Sequence, residues 1–312
     1  MKDTINVDFN LNSNTIVPII NDLNEFFNQN KQKNIILNFS NTRFVKPGGL
    51  TPLLAYLIEK KNIIDDYLIT IKANSSSLVN LYISRMGFYP LLGIEDTYPY
   101  HRKRSMGRFV EPYIFSKDTN PNEVTKKSSD IINMFTKNKS LENYNQALGW
   151  CITEIIDNAQ DRSESNTNVV MAQKYNNGIT EFCVADRGVG IKETMGDVDI
   201  SSALRRCITR EKGHNSNGRG NGLFYTTELI KQDNSNLCSL TIWSEDHMLI
   251  LYSGSNPIVK KVDGYWQGVN ISLSMYNGIS SRLSQLMSSI DNYEYSFSTK
   301  YMEENGLSLY DN

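Results

Sequence analysis

The stretch Trp150–Arg162, WCITEIIDNAQDR, constrains this chain more than any other. Ile152, Ile155, Ile156 and Ala159 recur at three- and four-residue spacing, which predicts an amphipathic helix over Leu141–Arg162. On its other side Glu154, Asn158 and Asp161 fall at i, i+4 and i+7, so two carboxylates and an amide share one face. A polar helix face is ordinarily just solvated. Two glycine-rich runs downstream argue otherwise. Asp186-Arg187-Gly188-Val189-Gly190-Ile191 follows an apolar strand pattern, and Gly218-Arg219-Gly220-Asn221-Gly222-Leu223 opens an apolar helix pattern, Leu223–Lys231. Glycine at a helix start lets the backbone approach a ligand closely, and the unpaired N–H groups with the helix dipole suit phosphate. Either run alone is weak evidence; ExxxN on a helix, DxGxG after a strand and GxGxGL before a helix, in that order, is far more specific.

The chain has 312 residues, enough for two domains that each bury a core. A net charge of −2 gives no electrostatic case for nucleic acid or an anionic membrane. No apolar run approaches a bilayer crossing, and MKDTINVDFN lacks the apolar core of a secretory signal. Cys151, Cys183, Cys207 and Cys238 form no CxxC pair, which favours reduced thiols in a cytoplasmic protein over disulfides or a zinc site.

Strand and helix patterns alternate through the first hundred residues: strands at Ile5–Phe9, Asn34–Phe39 and Leu68–Ala73, helices at Thr15–Phe27, Gly49–Lys61 and Ser76–Met86, with Gly87 as a stop. Such alternation implies an open α/β sheet. The order and the run NFSNTRFVKPGGLTPLLAYL resemble the STAS domain of anti-sigma-factor antagonists over residues 1–95. That family carries Asp-Ser-Ser-Gly at this turn, with the first serine as phosphoacceptor. Here the run is Lys46-Pro47-Gly48-Gly49, so the acceptor position is Pro47, without a hydroxyl. Pro47 suits a first helical turn, and the resemblance implies a docking module that cannot be phosphorylated at the usual place. Residues 96–107, with Arg102-Lys103-Arg104, read as an exposed linker.

Beyond it the patterns give a strand at Phe109–Phe115, a helix at Asn122–Phe135, and alternating strands at Asn168–Lys174 and Thr180–Ala185 joined by an Asn177-Gly178 hairpin turn. With the three motifs in place, residues 108–278 resemble the GHKL ATPase family of gyrase, heat-shock chaperones, histidine kinases and anti-sigma serine kinases. The resemblance implies the Bergerat fold, an α/β sandwich with a mostly antiparallel sheet, binding ATP and Mg²⁺ beneath a lid. The N-box matches Glu154 to Ala159, the G1 box Asp186 to Gly190 with Ile191 following, and the G2 box Gly218, Arg219, Gly220, Asn221, Gly222 and Leu223.

Roles follow at these positions. Asn158 offers a neutral oxygen to Mg²⁺, and Glu154 one turn earlier is the candidate general base. Asp186 is expected to accept a hydrogen bond from the adenine amino group, with Gly188 and Gly190 leaving room for the base. Arg162 stands where the family often has a cation toward phosphate; an ordinary helix-surface pairing is its alternative. Asp161 either supports the metal's water shell or caps the helix end, and Asp157, off the Glu154 face, reads as structural or as a support behind the site. The strand Gln267–Ser274 matches the family's final strand, but Val269 replaces the usual threonine, so a hydroxyl near adenine is missing; Asn270 or an ordered water is the expected substitute. Between the glycine boxes, Lys192 to Asn217 reads as a helix at Ile200–Thr209 and a lid, KGHNSNGRG, in which Lys212 or Arg219 is a candidate γ-phosphate contact, a solvated basic loop being the alternative. Residues 279–312 carry a helix pattern, Ile279–Ile290, and a tail of no derivable role.

Two functional classes remain open. One is phosphoryl transfer to a serine or threonine of a separate protein, as in anti-sigma kinases whose partners are STAS proteins; the other is an ATP-gated conformational switch with slow hydrolysis. Glu154 serves a serine hydroxyl or a water equally well. A histidine kinase is disfavoured, because His101 lies in the linker with no helical hairpin around it. Homodimerisation is left open.

Overall fold

The structure is a computed structural model that describes residues 4–29, 34–64, 67–96, 105, 107–135, 142–197, 199–209 and 221–276. The chain begins with β1 (Thr4–Asn6), β2 (Asn10–Leu11), α1 (Ile16–Gln29), β3 (Asn34–Asn38), β4 (Phe44–Val45), α2 (Pro47–Ile63), β5 (Leu68–Lys72), α3 (Leu78–Arg85) and α4 (Phe88–Leu91). β1, β3 and β5 form a parallel sheet in the order β1-β3-β5, beside a two-stranded β2–β4 pair. Parallel neighbours require crossovers, and the amphipathic α1 and the leucine-rich α2 supply them. α2 starts two residues earlier than the apolar pattern predicts, with Pro47 as its first residue, where a missing N–H costs no helical bond. Ser77 accepts a hydrogen bond from the Asn80 N–H and so caps α3.

The second region contains β6 (Phe109–Phe115), α5 (Pro121–Phe135), α6 (Glu142–Asp161), β7 (Asn168–Lys174), β8 (Ile179–Asp186), α7 (Ile191–Met195), α8 (Ile200–Arg206), α9 (Gly222–Gln232), β9 (Ser239–Tyr252) and β10 (Ile258–Tyr276). Its five strands lie in the order β6-β7-β8-β10-β9, every neighbouring pair antiparallel. The chain therefore joins two α/β regions, a small parallel sheet followed by a larger antiparallel sheet with helices. On one face of the larger sheet, α5, α6, α8 and α9 bury a core that includes Ile131, Ile155, Leu204 and Leu229 against Phe182, Val184 and Leu273.

The other face of that sheet is buried too. α2 lies against β7 and β8, and α1 against β10. One apolar cluster accordingly contains Leu50, Leu53 and Tyr56 together with Val169, Met171, Ala185, Trp243 and Trp266. β7 and β8 were expected to alternate; instead Asn168–Ala172 and Thr180–Asp186 are buried without a break, because their sheet is a middle layer with side chains covered above and below. Trp243 and Trp266 are fully buried with ring centroids 5.5 Å apart. Each removes about 200 Å² from water, a gross gain of about 5 kcal/mol.

Polar groups fasten the same interface. Glu181 on β8 accepts a hydrogen bond from the Gly48 N–H at 3.0 Å and lies 3.6 Å from Lys46 Nζ, so a carboxylate occupies the positive end of α2. Burial pushes the Glu181 carboxyl above its ordinary range, against the pull of Lys46, the Gly48 N–H and the Tyr175 hydroxyl. All four cysteines are free. Among the described residues no helix is long and apolar enough to cross a membrane.

Candidate functional site

A cavity of about 500 Å³ lies between α6 and the helical face of the larger sheet. Ile155, Asn158, Ala159 and Arg162 line it from α6, the i, i+3, i+4, i+7 face of one helix. Opposite them stand Val184 and Asp186 of β8 and Val269 and Ile271 of β10, each pair two residues apart on one side of its strand. α7 and α8 close the sides, and Asn221 and Leu223 bring the first turn of α9 to the rim. The volume is that of a small-molecule site, and its lining mixes apolar side chains such as Ile155, Val184 and Ile271 with polar and charged ones such as Asn158, Arg162 and Glu193.

Asp186 is the main polar group on the floor. Its Oδ1 accepts hydrogen bonds from the Gly188 N–H at 3.0 Å and the Val269 N–H at 3.1 Å. Its Oδ2 has no partner among the described residues. Burial pushes the carboxyl from 3.8 up to about 7, and the two N–H donors and Arg187 only moderate the rise. Such a group is a strong acceptor on the wall of the cavity, and its charge state changes near neutrality.

Close backbone approaches explain two of the motif glycines. A Cβ on Gly188 would stand 1.9 Å from the Ser163 carbonyl oxygen, so only glycine lets the turn after β8 pass the end of α6. A Cβ on Gly222 would stand 2.6 Å from the Glu154 Cβ, so glycine lets α9 start against α6. That contact is extended by Trp150 and Tyr225, whose rings lie 5.2 Å apart.

The residues singled out in the sequence divide as follows. Asn158, Arg162, Asp186, Gly190, Ile191, Asn221 and Leu223 all line the cavity. Gly188 shapes its floor through Asp186, and Gly222 forms the α6–α9 contact. Glu154 is 6% exposed, lies beneath Gly222, and is not among the lining residues. The Asn158 side-chain amide makes no hydrogen bond with the described residues, whereas Asp161 is exposed away from the cavity. Gly218, Arg219, Gly220 and Lys212 lie outside the described residues, as do the KGHNSNGRG segment and the Ile279–Ile290 pattern.

Val269 faces the cavity, but Asn270 does not, and this corrects the expectation that it substitutes for a missing hydroxyl. Strand alternation turns Asn270 to the opposite face, where it accepts the Cys183 thiol at 3.3 Å. Unanticipated lining residues are Thr194 and Met195 on α7, and Arg206 and Cys207 at the end of α8. Arg206 pairs with Asp197 at 2.7 Å and donates to the Met195 carbonyl. α7 is only five residues long and mixed in polarity, so no period announces it; Ile271 was legible from alternation with Val269. No family model matches the chain, and a search of curated proteins finds no match.

Proposed function

We propose that the chain is a GHKL-type protein that binds Mg-ATP in this cavity and acts as an ATPase or serine/threonine kinase toward a separate protein partner. The observation that carries the reading is Asp186: a buried carboxylate with one oxygen held by two backbone N–H groups and the other open to a small-molecule cavity. An exocyclic amino group of a purine is the donor such an oxygen would take, with Ile155, Val184, Ile191 and Ile271 against the ring. Arg162 and Arg206, also on the cavity, are cations for the phosphates, and Asn221 and Leu223 put a helix start at the rim.

Mg²⁺ fits the donor set in one specific way. Asn158 offers a single neutral oxygen with no partner among the described residues, and such a cation takes one or two protein oxygens with phosphates and waters completing its shell. When bound, it offsets charge on the transferring phosphoryl group. Glu154, one turn before Asn158, is the proposed group to take a proton from the attacking hydroxyl or water, which requires it to move out from beneath Gly222. The N-terminal region reads as a STAS-like docking module whose acceptor position is Pro47, so the receiving hydroxyl belongs to another protein, another STAS-like protein being the leading candidate.

An ATP-gated switch with slow hydrolysis is the second reading, favoured by the burial of Glu154 beneath Gly222. Incubation with γ-labelled ATP, with and without the protein encoded beside it, separates the two. Label on a partner serine or threonine, lost in Glu154→Ala, supports the kinase; free phosphate alone supports the switch. Calorimetry tests the shared premise: if Asp186→Ala bound Mg-ATP as tightly as the unmodified chain, the cavity would not be the nucleotide site.

A further inference from the structure

Asp186 and Arg187 are consecutive residues at the end of an extended strand, so their side chains leave on opposite faces of the sheet. Asp186 enters the cavity. Arg187 enters the N-terminal region, where its side chain is 6% exposed. There Nε and Nη2 donate to Glu59 Oε2 of α2 at 3.0 and 2.9 Å, and Nη1 donates to the Gln267 carbonyl at 3.2 Å. The guanidinium lies over the rings of Tyr56 on α2 and Trp266 on β10, 4.9 and 4.6 Å from their centroids. The same Trp266 donates its indole N–H to the Asp186 carbonyl at 3.1 Å.

The turn that aims the Asp186 carboxylate is thus fixed from behind by one ion pair and two rings. We infer that Arg187 is a positioning residue for the base-binding carboxylate, and that Tyr56 and Glu59 of the N-terminal region are part of the nucleotide site. This rests on the adenine reading proposed above. A guanidinium held by a carboxylate and packed over two aromatic rings sets the 186–187 peptide as a flexible ammonium would not. With it released, Asp186 keeps its chemistry but loses its aim. The N-terminal region then does more than dock: it determines which base the cavity prefers.

The test measures affinities of the full chain for ATP and for purine riboside 5′-triphosphate, which lacks only the amino group that Asp186 would accept. The unmodified chain is expected to prefer ATP, and Asp186→Asn to lose that preference. Arg187→Met and the isosteric Glu59→Gln are each expected to shrink the preference roughly 5-fold or more, chiefly by weakening ATP. A purely structural role would weaken both ligands alike and leave the ratio untouched, which would overturn the inference. Glu59→Gln decides if Arg187→Met does not fold, since it changes one atom of the carboxylate. Equal affinity of the unmodified chain for both ligands would instead defeat the adenine reading itself. A ratio lost in Asp186→Asn but kept in both other variants would defeat only the positioning role.

Discussion

On the proposed nucleotide reading, the raised carboxyl of Asp186 should make affinity depend on pH in a direction that can be worked out beforehand. In the free chain burial holds its pKa at about 7 instead of 3.8. A purine amino donor stabilises the ionised form, so binding displaces a proton wherever the free group is protonated. With a free-state pKa of about 7, the ionised fraction falls from about nine-tenths at pH 8 to about one-tenth at pH 6. Affinity for ATP should therefore drop about tenfold between pH 8 and pH 6. The phosphates also titrate in this window, so the control is Asp186→Asn, which keeps an acceptor for the Gly188 and Val269 N–H groups but cannot ionise. At pH 8 the asparagine variant should bind more weakly, and the gap between the two should close as pH falls to 6. Calorimetry in two buffers of different ionisation enthalpy should show roughly one proton released at pH 6 by the unmodified chain, beyond that of the variant. The same shift acts on folding with the opposite consequence. Because the folded pKa lies above the unfolded one, the contribution of this group to stability is fullest below pH 3.8 and is lost as pH rises toward 7. The loss is on the order of 4 kcal/mol, so Asp186→Asn should raise Tm more at pH 8 than at pH 4. An affinity gap that stayed constant from pH 6 to pH 8 would refute the reasoning.

Three further perturbations address other parts of the cavity. Asn158→Ala should abolish the gain in ATP affinity that Mg²⁺ gives over EDTA, while leaving affinity in EDTA unchanged. Val269→Thr puts a hydroxyl on the cavity wall, and should tighten ATP by roughly 3- to 10-fold if it finds the base, or by nothing if the base lies elsewhere. Gly222→Ala would set a methyl 2.6 Å from the Glu154 Cβ. It should destabilise the fold by about 1–3 kcal/mol in urea unfolding, because two helices have to separate.

What was legible in the sequence follows physical range. The helix around Trp150–Arg162 ends within a residue of its pattern, and β6 and β7 coincide with theirs, because periodicity is a local property. Asn158, Arg162 and Asp186 came from motif spacing, and the fold does bring them to one cavity. The long β9–β10 hairpin was read only at Gln267–Ser274; polar residues such as Glu245, Asp246, Lys260 and Lys261 interrupt its apolar pattern. The layer formed by α1 and α2 on the back of the sheet was not legible at all. It depends on which surface a buried run meets, and the unbroken burial of β7 looks in sequence like a strand of any two-sided sheet. The side to which Asn270 turns failed for a related reason: one residue of strand register decides it.

That register also explains why one strand holds two buried carboxylates with different fates. Glu181 and Asp186 are five positions apart on β8, an odd separation, so they stand on opposite faces. Glu181 meets Lys46, the Gly48 N–H and the Tyr175 hydroxyl, so its two oxygens are both engaged and its charge is countered within the chain. Its substitution should therefore loosen α2 without touching ligand affinity directly. Among the described residues Asp186 has donors on Oδ1 alone, and the cation next to it in sequence is turned away to Glu59. A buried carboxylate left half-satisfied costs stability unless something outside the chain completes it. Asp186 lines the cavity, and that asymmetry, more than the glycines around it, is what the proposed ligand role rests on.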